Sequence, residues 1–201
     1  LTLASDIKEI IAEIGTSVTI IRPTGNITGE YLYGKINKQV TKPFIREFFM
    51  EAWMASDTAM VSGDTIQTSD GRIFIIMNKT PSMFEDIVYR YDSVVYKCNV
   101  VATVQRPVET TENYTVTTSF STITEDVNML ITESLYGNEL DTDEELASIG
   151  LSSEDCYVSS SVGIEYLDRI WISETEYYQV EVIKKRRFDG VDLIILGEDT
   201  R

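Results

Sequence analysis

The sequence contains no histidine. That absence removes Ser/His/Asp and Cys/His triads, HExxH zinc centres, histidine-ligated haem and most imidazole acid–base chemistry. Cysteine is almost as scarce: Cys98 and Cys156 stand far apart without CxxC spacing, which supports neither a cysteine zinc site nor a redox motif. Two buried reduced thiols are the expected state, with a single disulfide left open. Positive charge is also short, 17 Lys+Arg against 33 Asp+Glu for a net charge of −16. Such a surface repels nucleic acid and anionic membrane, which argues against a nucleic-acid-binding module. No apolar run approaches the ~20 residues of a membrane helix, and no basic segment leads into an apolar one at the start. The chain is expected to be soluble, with no membrane partner. Its first residue is Leu rather than Met, which leaves a trimmed start or a removed leader open. Glycine-rich phosphate cradles are missing, and no cofactor is expected.

What is present is β-forming material. Of the 201 residues, 43% are hydrophobic, enough for one or two buried cores. Threonine, tyrosine, valine and isoleucine dominate after the first fifteen residues, and turn signals come at short intervals. Ser5 is a good N-cap, Ile7, Ile10, Ile11 and Ile14 recur at helical spacing, and Gly15 supplies a stop, so residues 5–15 read as one amphipathic helix. The expected fold class is mainly β, with one N-terminal helix and two small β-barrel or β-sandwich modules. Strands are expected over residues 18–22, 45–53, 65–68 and 73–77, the third and fourth as a hairpin through Ser69-Asp70-Gly71-Arg72. Residues 81–84 read as a turn or helical corner. The stretch 87–105 alternates so that Val94, Tyr96, Cys98 and Val100 share a face. Residues 169–173, 177–188 and 191–196 form a three-stranded meander.

Residues 106–112, with Pro107, two threonines and two glutamates, are the best candidate linker. They divide the chain into a first module (1–106) and an acidic second module (107–201) containing a long polar loop, 134–153. Charge changes across the boundary from net −1 to net −15. The two halves also share a pattern: Gly63-Asp64-Thr65-Ile66 followed by Asp70 to Ile76 parallels Leu167-Asp168-Arg169-Ile170 followed by Glu176 to Val182, a sign of two related modules.

Few constellations point to chemistry. Asp141, Asp143 and Glu145 imitate the first ligands of a calcium loop, but Leu146 stands where Gly is needed and Ser152 where Glu is. No local pattern selects a pair of carboxylates for catalysis. The triplets at Asn26, Asn78 and Asn113 match glycosylation acceptors in a Thr-rich chain. The run Lys184-Lys185-Arg186-Arg187 is the one concentrated positive feature of the acidic half. It reads either as an edge strand whose charges deter aggregation or as a docking element for an acidic surface, including a neighbouring subunit.

Two stretches carry a resemblance. Ser56-Asp57-Thr58-Ala59-Met60-Val61-Ser62-Gly63-Asp64-Thr65-Ile66 and Gly71-Arg72-Ile73-Phe74-Ile75-Ile76-Met77-Asn78-Lys79-Thr80-Pro81 resemble the core of head-completion (stopper or neck) proteins of tailed bacteriophages. The stretch 168–196 is similar to the closing meander of the same connector group. The resemblance implies a non-enzymatic virion protein. It would form a homo-oligomeric ring between portal or adaptor and tail proteins, retaining DNA that passes without sequence-specific binding. Family members are often single barrels, whereas two modules are expected here. On this reading Phe84, Tyr177 and Phe188, with Lys184, Lys185, Arg186 and Arg187, are candidate partner-docking residues. Glu139, Asp141, Asp143, Glu144 and Glu145 are candidates for a loop facing the DNA conduit. The competing reading is an extracellular β-sandwich adhesin or carbohydrate-binding module, and an enzyme using carboxylates alone is a third.

Overall fold

The computed structural model describes residues 3–35, 47–112, 115–133 and 154–201. The described residues are mostly strand, with an N-terminal α-helix and two β modules, as the composition predicts. It divides into two compact units: Leu1–Cys98 with Phe188–Val191, and Asn99–Arg187 with Asp192–Arg201.

The first unit opens with α1 (Leu3–Ile14) and continues through β1 (Thr16–Ile21), β2 (Ile27–Lys35), β3 (Phe49–Ala55), β4 (Thr65–Thr68), β5 (Ile73–Ile76), β6 (Thr80–Phe84) and β7 (Ile87–Lys97). Its strands run in the order β3-β2-β1-β4-β5-β7-β6, and β3 also pairs with β7. Six strands therefore form a closed cycle, and β6 pairs with β7 alone. Val18, Ile20, Leu32, Met54, Ile66, Ile76 and Val95 fill the interior. α1 lies against β2, β3 and β7. Only Ile11 of its isoleucines is buried, while Ile10 and Ile14 are 47% and 58% exposed. The helix thus presents a narrower apolar stripe to the barrel than its spacing suggests.

The second unit is a closed barrel with strand order β10-β13-β12-β11-β8-β9. These strands are β8 (Val100–Glu112), β9 (Thr115–Glu133), β10 (Glu154–Ser159), β11 (Arg169–Ser173), β12 (Glu176–Lys184) and β13 (Val191–Glu198). Ala102, Val104, Met129, Val158, Ile164, Ile170, Val180 and Leu196 form its core.

The two barrels are built alike, strand for strand. In the first, Val18 pairs with Glu30, then a bulge intervenes before Ile20 pairs with Ile27. In the second, Ala102 pairs with Val127, and the same bulge precedes Val104 opposite Thr124. The extra residue sits at Gly29 in one and Asp126 in the other, both with positive φ (86° and 55°). From β3 to β5 the correspondence runs at a constant offset of 104 residues. Ala52, Met54, Met60, Asp64, Ile66 and Ile76 match Cys156, Val158, Ile164, Asp168, Ile170 and Val180, all buried. The offset is 84 for β1 and β8 but 97 for β2 and β9. The second unit therefore carries thirteen extra residues in its first hairpin.

That insertion corrects the expected linker. Residues 106–112 are the distal half of β8, laddered to β9 until Glu112 pairs with Thr115, and the units divide at Cys98 and Asn99 instead. Proline, threonine and glutamate read as a linker because the arm has no core to pack on; Val108, Glu109, Thr110 and Thr111 are all exposed. Residues 81–84 are strand β6 rather than a turn, since Pro81 on an edge strand costs no ladder hydrogen bond. The stretch 87–105 is two strands, and its fully buried face carries Ser93 and Val95, with Val94 and Tyr96 half-buried on the other. The β4–β5 hairpin and the C-terminal meander pair as expected, except that β12 ends at Lys184. Both cysteines are free thiols.

Candidate functional site

Each unit contains an aspartate hub. Ile21 of β1 pairs with Thr65 of β4, which sets Arg22, just past β1, opposite Asp64, just before β4. Arg22 donates from Nε to Asp64 Oδ1 (2.7 Å) and from Nη2 to Oδ2 (2.5 Å) and to the Ala59 carbonyl (2.9 Å). The Val61 amide donates to Asp64 Oδ2 (2.8 Å). Gly63 donates to Ile76 O and Ile76 donates to Asp64 O. In the second unit Arg106 donates to Asp168 from Nε (2.9 Å) and Nη2 (3.0 Å), and to the Gly163 carbonyl (3.3 Å). The Glu165 amide donates to Asp168 Oδ2 (2.8 Å), while Leu167 and Val180 repeat the backbone pair.

Every partner of the first hub has its counterpart in the second. The residue before each aspartate has positive φ, Gly63 at 86° and Leu167 at 68°. A bidentate, charge-assisted pair at a buried carboxylate fixes the entry to the hairpin in both barrels. Both carboxylates are spent on it, so the hubs are structural. The sequence parallel found the two aspartates; the two arginines were missed because only strand pairing brings them near.

The second unit adds a cluster without counterpart. Asp199 accepts from Arg169 Nε (2.6 Å) and from Arg201 Nε (3.0 Å). The Arg169 guanidinium lies 3.4 Å from the Phe120 ring centroid and 4.8 Å from that of Tyr177. Burial would raise the Asp199 carboxyl, but hydrogen bonds from Arg201 and Arg169 outweigh it and hold the group below its usual range. Tyr177, expected as a docking residue, is 37% exposed and belongs to this cluster.

Phe84 ends β6 at the tip of the β6–β7 hairpin, 57% exposed, with Met83 at 55% and Ile87 at 62% beside it. The two-residue turn between them is Glu85-Asp86, with φ of 49° and 62°. Of the basic run, Lys184 is the last residue of β12, and Lys185, Arg186 and Arg187 follow it in a turn, all exposed. The edge-strand reading of that run is thereby corrected, because the strand stops before three of its four members. Burial raises the nearby Asp155 carboxyl, and the charges of Lys184 and Arg187 pull it back only in part. Phe188 is half-buried. Glu139, Asp141, Asp143, Glu144 and Glu145 lie outside the described residues.

Asn78, one of the triplet asparagines, is committed to the fold: its Oδ1 accepts from the Val94 amide (2.7 Å) and its Nδ2 donates to Thr80 (3.1 Å). It borders an open groove of about 350 Å³ with Glu51, Trp53, Arg90 and Asp92. There the Arg90 guanidinium covers the Trp53 ring at 3.9 Å. Lys79 donates to the Thr58 and Met60 carbonyls, and burial lowers its ammonium pKa. Among the described residues no three cysteine, aspartate or glutamate side chains gather as a metal site. Comparison with protein-family models, curated proteins and solved structures finds no match for this chain.

Proposed function

We propose that this chain is a non-enzymatic structural protein of the tailed-phage neck, a ring component between portal or adaptor and tail that helps retain packaged DNA. The observation that carries the reading is the duplicated barrel. The Gly-Asp turn and hairpin on which the resemblance rests (56–66 and 71–81) build one barrel, and the same hub, bulge and hairpin recur in the other. Repeated barrels, the first with an exposed apolar hairpin tip, suit assembly through surfaces rather than chemistry in a cleft. Residues 107–181 hold 17 acids and one base. A ring would multiply that charge about its axis, letting a duplex slide without sticking.

Negative-stain imaging of purified protein and of native particles labelled with an antibody to the chain tests this. Rings or labelled necks are expected; labelled fibres or a cell-surface location would overturn it. A second reading, an extracellular carbohydrate-binding module, draws on the Trp53–Arg90 groove. Saturable quenching of tryptophan fluorescence by an oligosaccharide, lost in Trp53→Ala, would favour it.

A further inference from the structure

The tip of the β6–β7 hairpin is unusual for an exposed turn. Three apolar side chains, Met83, Phe84 and Ile87, stand more than half exposed around it. Its two central residues take the left-handed conformation that a two-residue hairpin turn demands and that Asn-Gly supplies at least cost. This chain places Glu85 and Asp86 there instead, and neither carboxylate has an ion-pair partner among the described residues. The result is an apolar knob with two negative charges at its end. On the second unit, the turn after β12 is its chemical complement. Lys185 and Arg186 project from it, and Val182, 44% exposed, lies just before it on the strand. Among the described residues of the acidic second unit, this turn is the one run of consecutive basic side chains.

We infer that the β6–β7 tip of one copy docks onto the Lys184–Arg187 turn of a second copy. Apolar side chains would meet at the centre and opposite charges at the rim. Tip and turn are different surfaces of the same chain, so the contact is heterologous: each copy gives one and receives one, which generates rings when the rotation closes. The inference rests on the ring-forming reading and names its contact. The surface is small, so single pairs hold weakly and ring closure, in which every copy makes the contact twice, supplies the rest.

The test mixes full-length ¹⁴N- and ¹⁵N-labelled protein across a concentration series, follows association by sedimentation velocity, and joins carboxylates to amines with a carbodiimide. Mixed-isotope peptides linking Glu85 or Asp86 to Lys184 or Lys185 are expected, with association at least tenfold weaker in high salt. Glu85→Lys with Asp86→Lys, and Lys185→Glu with Arg186→Glu, should each weaken association tenfold or more. The chain carrying all four changes should associate with itself but not with the native chain. Met83→Ser with Phe84→Ser, which leaves the turn and its charges intact, should weaken it as well; circular dichroism checks that each variant folds. Absence of association, oligomers cross-linked elsewhere, or insensitivity to the charge swap would overturn the contact. Particle imaging judges the neck reading separately: a labelled neck without this contact retains that reading and discards this one.

Discussion

Asp168 receives the Arg106 guanidinium along two parallel hydrogen bonds, 2.9 Å to Oδ1 and 3.0 Å to Oδ2, across 62 residues of sequence. The carboxylate is 1% exposed and the arginine 32%. Removing the arginine therefore strands a buried negative charge. Arg106→Met is expected to cost about 3–5 kcal/mol in urea unfolding. Arg22→Met should act similarly through Asp64, which is 7% exposed. A loss below about 1 kcal/mol for both would contradict the hub's structural role.

The paired bulges isolate a backbone effect. At Gly29, φ is 86° and a Cβ would meet nothing within 4 Å, so Gly29→Ala should destabilise through conformation alone, by about 1 kcal/mol. Asp126 takes the same position at φ 55°, and Asp126→Gly should be neutral or stabilising by up to about 1 kcal/mol. Thermal midpoints of the two variants should move in opposite directions or differ clearly in size.

Burial pushes the Cys98 thiol up to about 12, which leaves about one in ten thousand ionised near pH 8. Cys156 is buried in the second barrel. A thiol reagent should modify neither cysteine appreciably in native protein and both in urea. Rapid reaction of one thiol under native conditions would contradict this burial.

Acid should weaken the second barrel through Asp199. Its folded-state pKa is lowered, so its contribution is fully present above the ordinary carboxylate value of about 3.9 and is lost as pH falls through the lowered value. Urea midpoints from about pH 7 to about pH 2 should fall more steeply for the native chain than for Asp199→Asn. Parallel curves would assign the acid transition to other carboxylates.

The arm beyond Pro107 should be dispensable for folding, because the first barrel manages without one. Replacing residues 108–119 by Asn-Gly keeps Phe120 beneath Arg169 and removes an arm in which residues 108–111 and 117–119 are exposed. Stability should change by less than about 1 kcal/mol. A collapse of the second barrel would show that the arm is integral to it.

Local signals made the β4–β5 hairpin and the final meander legible, since turn residues and alternation sit within a few positions of what they specify. The duplication was half legible. The two aspartates stood out, but the offset from β3 to β5 matches Ile76 with Val180, whereas the sequence comparison set the second strand two residues further on. Arg22 and Arg106 were invisible as partners because pairing of β1 with β4 and of β8 with β11 brings them in. The arm was misread because exposed strand and linker share a composition, and the basic run because nothing within it marks where β12 leaves the ladder. The acidic-loop residues lie outside the described structure.

Closure of the sheets also bears on survival in a crowded assembly. A chain this rich in strand carries many segments able to recruit one another into cross-β aggregates, and the strand of a flat sheet's rim is where that begins. Here the strands within each cycle consume their own rim, while the β8–β9 arm beyond Arg106 lies outside it. In the first unit, the strand left with one neighbour is β6, where Pro81 interrupts the row of amides. In that unit, among the described residues, what stands exposed and apolar is a hairpin tip, which permits attachment at points while offering a growing fibril little template.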